Sequence, residues 1–232
     1  MKTLLLKSTL ILFTLSLLTC KNEGRITYKY AEQPDLITCD LKNADLYNEA
    51  VYSFENDILT QLDESNQGLL QAYKKFILLT LYGHLKVEDI ASEHSLKLAK
   101  QLKKDKQLWM ETAGARSLNH EGLLMDCITN TVKDKDLQTT FNALLSTNSL
   151  NPRTILTPLR NNPIHLLTDG SVKSFMAFEY YYPALMDIEA SQLTAKDKPS
   201  ADNASDNVNK KPALELKQEP KLKDIHEGHN HD

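Results

Sequence analysis

Glycine is scarce in this chain: seven residues among 232, with a single tryptophan. Runs rich in β-branched residues are few as well. A sandwich or barrel needs many turns and alternating strands, so both scarcities argue against one and for helices. No apolar run reaches the roughly 20 residues that a bilayer-spanning helix requires. Positive charge is also short. The 27 basic residues face 31 acidic ones, a formal net charge of −4. No basic field exists for nucleic acid, and none for an anionic lipid surface. Chemical motifs are missing too. The chain contains no Gly-x-Gly-x-x-Gly, no Walker-type loop and no internal repeat. It has no His-Glu-x-x-His, no Glu-x-x-His pair for a di-iron site and no Gly-x-Ser-x-Gly elbow. Nothing in the sequence places a catalytic constellation, so an enzyme is the less favoured reading.

What is present begins at the N-terminus. Lys2 and Lys7 precede the apolar stretch Ser8 to Leu18, and no acid occurs before Glu23. A basic start and a short apolar run before a processing site form a signal peptide. Leu17-Leu18-Thr19-Cys20 ends it. This tetrapeptide resembles the lipobox of bacterial lipoproteins, in the looser form seen in Bacteroidetes-type envelopes. The resemblance covers residues 1 to about 23. It implies cleavage after residue 19, acylation of Cys20 and attachment to a membrane through that lipid. Two or three acyl chains anchor stably where one gives only marginal binding. Lys21 follows where an aspartate would favour the inner membrane, so the resemblance implies the outer membrane, with the periplasmic and surface faces both open. An ordinary signal peptide with an incidental cysteine is the competing reading.

Cleavage removes two lysines and no acid, so 25 basic residues would face 31 acidic ones. It also leaves Cys39 and Cys127 as an even pair in an oxidising compartment. A disulfide between them closes a loop of about 89 residues, for roughly 4 to 5 kcal/mol on the chain-entropy model. Two buried thiols that never meet are the alternative.

The expected organisation follows in order: a signal peptide at 1–19, a lipidated polar spacer at 20–35, a helical domain at 36–190 and a disordered charged tail at 191–232. The domain is expected to be all-α, a single bundle of six or seven helices. Tyr47, Ala50, Val51, Phe54, Ile58 and Leu62 make one apolar stripe, with Glu49, Glu55 and Asp57 on other faces. The next helix, about 67–82, is apolar nearly all round and is expected at the centre, with Gly83 ending it. A third spans 86–104. Trp109 and Met110 open a turn at Gly114, and Ser117 caps a fourth helix. Asp134 or Asp136 caps a fifth. Asn151-Pro152 starts a short segment that Pro158 and Pro163 stop. A last helix, 172–190, is kinked or divided by Pro183.

Two clusters carry the remaining functional hints. The chain ends His226-Glu227-Gly228-His229-Asn230-His231-Asp232. Short His-rich tracts bind zinc, copper or nickel, and without a second shell the binding should be weak and exchangeable. Tyr180-Tyr181-Tyr182-Pro183 cannot place three rings on one helix face, so at least one should lie at an edge or in solvent, where an aromatic can serve binding. His84, His94, His120 and His165 read as isolated structural residues. The functional expectation is an envelope lipoprotein that binds a partner protein or supports an assembly, with metal handling through His226, His229 and His231 as the alternative.

Overall fold

The computed structural model describes residues 26–112 and 114–194. These belong to the first of two units, Met1–Lys198 and Pro199–Asp232. The fold is all-α with one short hairpin. No helix among the described residues is long and apolar enough to cross a membrane.

Helix α1 (Ala44–Leu62) carries the expected stripe, and Tyr47, Ala50, Val51, Phe54, Ile58 and Leu62 are all buried. It is also the centre of the fold, which the sequence assigned to 67–82. It packs against α2 (Leu69–Leu81), α3 (Glu93–Leu102), α8 (Gly170–Met176) and the π-helical turn Ala177–Tyr181. Helix α2 buries only Ala72, Tyr73, Phe76 and Ile77, while Leu78 and Tyr82 are 38% and 67% exposed. The correction has a physical reason. Acids on α1 find partners inside the protein, so its charged positions do not force a face into solvent.

Local chemistry sets the helix ends. Gly83, at φ 67°, donates to the Thr80 carbonyl, and His84 donates to that of Leu79. That pair of bonds is a Schellman motif, and it ends α2 at the glycine expected to do so. The helix expected over 86–104 begins later. Val87–Asp89 is one 3₁₀ turn, and the Ser92 side chain then caps α3 by accepting from Ser95 N–H.

Ser117 does not cap a helix. It pairs with Met110 in an antiparallel hairpin of β1 (Trp109–Thr112) and β2 (Ala115–Leu118), with Gly114 at φ 83° in the turn. Neither Trp-Met-Glu-Thr nor Ala-Arg-Ser-Leu alternates apolar and polar residues, so no strand period shows in the sequence. The Trp109 Nε1–H donates to the Leu102 carbonyl at 2.8 Å and fixes the hairpin to α3. Helix α4 (Leu123–Thr131) starts after Gly122, where a Cβ would stand 3.0 Å from the carbonyl oxygens of Asn119 and Gln107.

Asp134 caps α5 (Lys135–Ser146), accepting from Leu137 N–H at 2.8 Å. Asn151 starts α6 (Pro152–Asn161) with a capping box. Pro158 does not stop α6 but sits inside it. Its ring is exposed, while Ile155, Leu156 and Leu159 are buried and carry the helix through. The single turn α7 (His165–Thr168) leads to α8, capped by Asp169. The last helix is divided, as Pro183 requires. The division is the π turn 177–181, in which Tyr182 N–H donates to the Ala177 carbonyl five residues back. Helix α9 (Tyr182–Leu185) follows with Pro183 in its first turn, where a missing N–H costs little.

The domain begins earlier than expected. Residues 26–35, read as spacer, lie against α1. Glu49 accepts the N–H groups of Lys29 and Tyr30, and the Tyr52 hydroxyl donates to the Pro34 carbonyl. Asn48 accepts from Leu36 and Ile37. Cys39 and Cys127 form a disulfide, with Cα atoms 6.0 Å apart, that ties this segment to α4. At Gly170 a Cβ would come within 2.5 Å of the Leu36 carbonyl, so the segment also presses on α8.

Candidate functional site

The acids of α1 are the densest group of ionisable side chains in the interior. Glu49, Glu55 and Asp57 are 2%, 7% and 2% exposed, although the sequence placed them away from the buried stripe. Glu49 meets His94 Nε2 at 2.5 Å besides its two backbone donors. Burial pushes its pKa up, but these hydrogen bonds outweigh burial and hold it below the usual value. Glu55 pairs with Lys173 at 2.9 Å and accepts from the Tyr73 hydroxyl at 3.0 Å. Asp57 accepts from the Tyr181 hydroxyl at 2.6 Å and from Ser92 N–H at 3.1 Å. For both acids burial dominates and raises the pKa, against the pull of those partners. Beside them Ser53 Oγ and Ser95 Oγ lie 2.6 Å apart, and the Tyr182 hydroxyl donates to the Ala50 carbonyl. Each contact joins α1 to another element: the N-terminal segment, α2, α3, α8 or the turn at 177–182. The network is a fastening of the fold, whose acceptors are occupied by protein donors.

A cleft of about 480 Å³ lies where the N-terminus of α1 meets the segment after α3 and the start of α4. Leu41, Leu46, Leu108 and Leu123 supply apolar wall, and Lys42, Lys104 and Lys106 supply positive charge. Leu123 is 63% exposed. The cleft has one acid, Asp105, and its carboxylate is already engaged. It accepts from the Tyr47 hydroxyl at 2.5 Å, from Asn43 Nδ2 at 2.7 Å and from Gln107 N–H at 3.1 Å. Burial opposes its ionisation, yet these donors hold its pKa below the ordinary carboxylate value. Burial, and after it the same contact with Asp105, raise the Tyr47 phenol well above its usual range. Asn43, the N-cap residue of α1, makes no side-chain capping bond and is spent on Asp105 instead. The cleft is thus locally basic in a chain that is acidic as a whole.

The residues singled out in the sequence fall in different places. Cys39 and Cys127 are brought together. Cys20, His226, His229 and His231 lie outside the described residues. The four body histidines do not converge. His94 meets Glu49, His120 Nε2 meets Glu179 Oε2 at 2.9 Å, His165 Nε2 meets Asn162 Nδ2, and His84 lies beside the Tyr82 ring. Among the described residues no group of three His, Cys, Asp or Glu side chains is placed to hold a metal ion. Of the tyrosine run, Tyr181 and Tyr182 are fully buried. Tyr180 is the edge ring, half-buried, and its buried hydroxyl has no hydrogen-bond partner. The cleft lysines escaped sequence reading because Lys42 lies 62 residues before Lys104 in the chain. The one available signal was the basic run at the end of α3, which reads equally well as a complement to the helix dipole.

Comparison of the chain with protein-family models, with curated proteins and with solved structures finds no match in any of the three.

Proposed function

We propose that this protein is an envelope lipoprotein, held at a membrane by acyl chains on Cys20, that acts by binding or in assembly rather than as an enzyme. The observation that carries the reading is the pairing of Cys39 with Cys127. Disulfides persist in exported proteins and are rare in reducing compartments. The pairing also accounts for both cysteines of the folded domain. Cys20 is left as the odd cysteine, directly behind the apolar run Ser8 to Leu18.

The contacts of residues 26–37 add a geometric consequence. Five residues, 21–25, separate Cys20 from the described fold. The six Cα steps from Cys20 to Ile26 reach at most about 20 Å when fully extended. A lipid on Cys20 would hold the N-terminal half of α1 close to the bilayer surface. A non-enzymatic role is supported by the buried acids of α1, Glu49, Glu55 and Asp57, each of which is engaged in joining elements of the fold.

The test is metabolic labelling of the full chain with an alkyne fatty acid in a Gram-negative host, followed by membrane fractionation. Label on the wild-type protein that disappears in Cys20→Ala, with release of that variant from membranes, supports the reading. Equal labelling of both forms, or none of either, refutes it.

A further inference from the structure

We infer that the cleft at the N-terminus of α1 binds a single anionic amphiphile, a molecule with one phosphate or carboxylate headgroup and an apolar chain. Three observations converge on that class. The volume of about 480 Å³ lies within the range of roughly 300–1,000 Å³ typical of small-molecule sites. Its charge is unbalanced: Lys42 and Lys106, both exposed, face one carboxylate. That carboxylate is held by Tyr47, Asn43 and a backbone N–H, so its acceptor capacity is spent inside the protein. Leucines form the apolar part of a mixed lining, and among them Leu123 stands largely exposed. A bare anion would leave the exposed Leu123 in water, and a neutral lipid would bring no charge to the exposed Lys42 and Lys106. A ligand with both parts satisfies both.

Two sources can present this chemistry, a free amphiphile or the headgroup region of an anionic bilayer. The site does not depend on acylation of Cys20. Its test therefore uses the full chain carrying Cys20→Ala, so failure here and failure of the anchoring proposal are separate results. Titration calorimetry at low salt compares decyl phosphate below its micellar concentration, inorganic phosphate and decyl maltoside. Vesicles of phosphatidylglycerol and of phosphatidylcholine form the second arm, read by co-sedimentation.

Saturable one-to-one binding of decyl phosphate, at least tenfold tighter than either control, is expected. Lys42→Glu with Lys106→Glu should weaken it at least tenfold. Leu123→Ser should weaken it several-fold. Lys135→Glu, at the exposed first residue of α5, should leave it unchanged. The substituted residues are exposed, and unchanged far-UV dichroism and melting would show that the variants fold. If vesicles compete with decyl phosphate, the bilayer is a source of the ligand; if they do not, the ligand is a free amphiphile, and both results keep the site. The inference is overturned if decyl maltoside binds as tightly, if the double lysine variant binds normally, or if anionic vesicles bind while decyl phosphate does not.

Discussion

Reducing the Cys39–Cys127 disulfide should destabilise the folded domain mainly by freeing its unfolded chain. The two cysteines are 88 positions apart. For a closed loop of that length the chain-entropy relation gives about 4 to 5 kcal/mol at 25 °C. Domains of this kind have total stabilities of about 5–15 kcal/mol, so the bridge holds a large share. The native state should change little on reduction. Residues 26–37 stay fastened to α1 by Glu49, Asn48 and Tyr52, which do not depend on the sulfurs. Urea unfolding of the oxidised and reduced chain, and of Cys39→Ala/Cys127→Ala, measures the effect by far-UV dichroism. With a slope of about 2 kcal/mol per molar, the midpoint should fall by about 2 M. The unfolding rate should rise much less than the folding rate falls. A loss below about 1 kcal/mol, or a loss carried wholly by faster unfolding, would refute the unfolded-state reasoning.

Neighbouring tyrosines should respond in opposite ways. Tyr181→Phe strips a hydroxyl donor from buried Asp57 and should cost roughly 1.5–3 kcal/mol, whereas Tyr180→Phe removes an unpartnered hydroxyl and should be neutral or stabilising. Chemical denaturation of the two variants checks the contrast. His120 is raised above its ordinary pKa by its hydrogen bond to Glu179, against the opposing effect of burial. The folded state therefore holds that proton more tightly, so the stabilisation is complete below about pH 6.5 and is lost as pH rises through the folded pKa. Melting temperatures between about pH 6 and 8 should fall more for the wild type than for His120→Gln. Zinc calorimetry should find weak binding that disappears when residues 226–232 are deleted and that weakens below about pH 6, where the imidazoles protonate.

The legible parts of the fold were those written in local chemistry. The α1 stripe, the Asn151-Pro152 start, the Asp134 cap, the Gly83 end and the break near Pro183 each depend on residues a few positions apart. The errors came where distant partners decide. Glu49, Glu55 and Asp57 look like solvent-facing acids until His94, Lys173 and Tyr181 are brought against them from 45, 118 and 124 positions away. The apolar helix α2 looked central for the same reason, since sequence shows hydrophobicity but not neighbours. Ser117 has the composition of a cap and the position of a strand residue. Pro158 reads as a stop until the buried residues around it are seen to hold α6 together. The cleft was the least legible feature, because its lysines and leucines come from segments that meet only in three dimensions.

Intact-mass spectrometry of the chain purified from membranes tests the central claim most directly. The account predicts a protein that starts at Cys20 and carries the mass of two or three acyl chains. After unfolding without reductant, it should take up no thiol reagent at Cys39 or Cys127. An unmodified Cys20, a start elsewhere in the chain, or free thiols at both domain cysteines would contradict it.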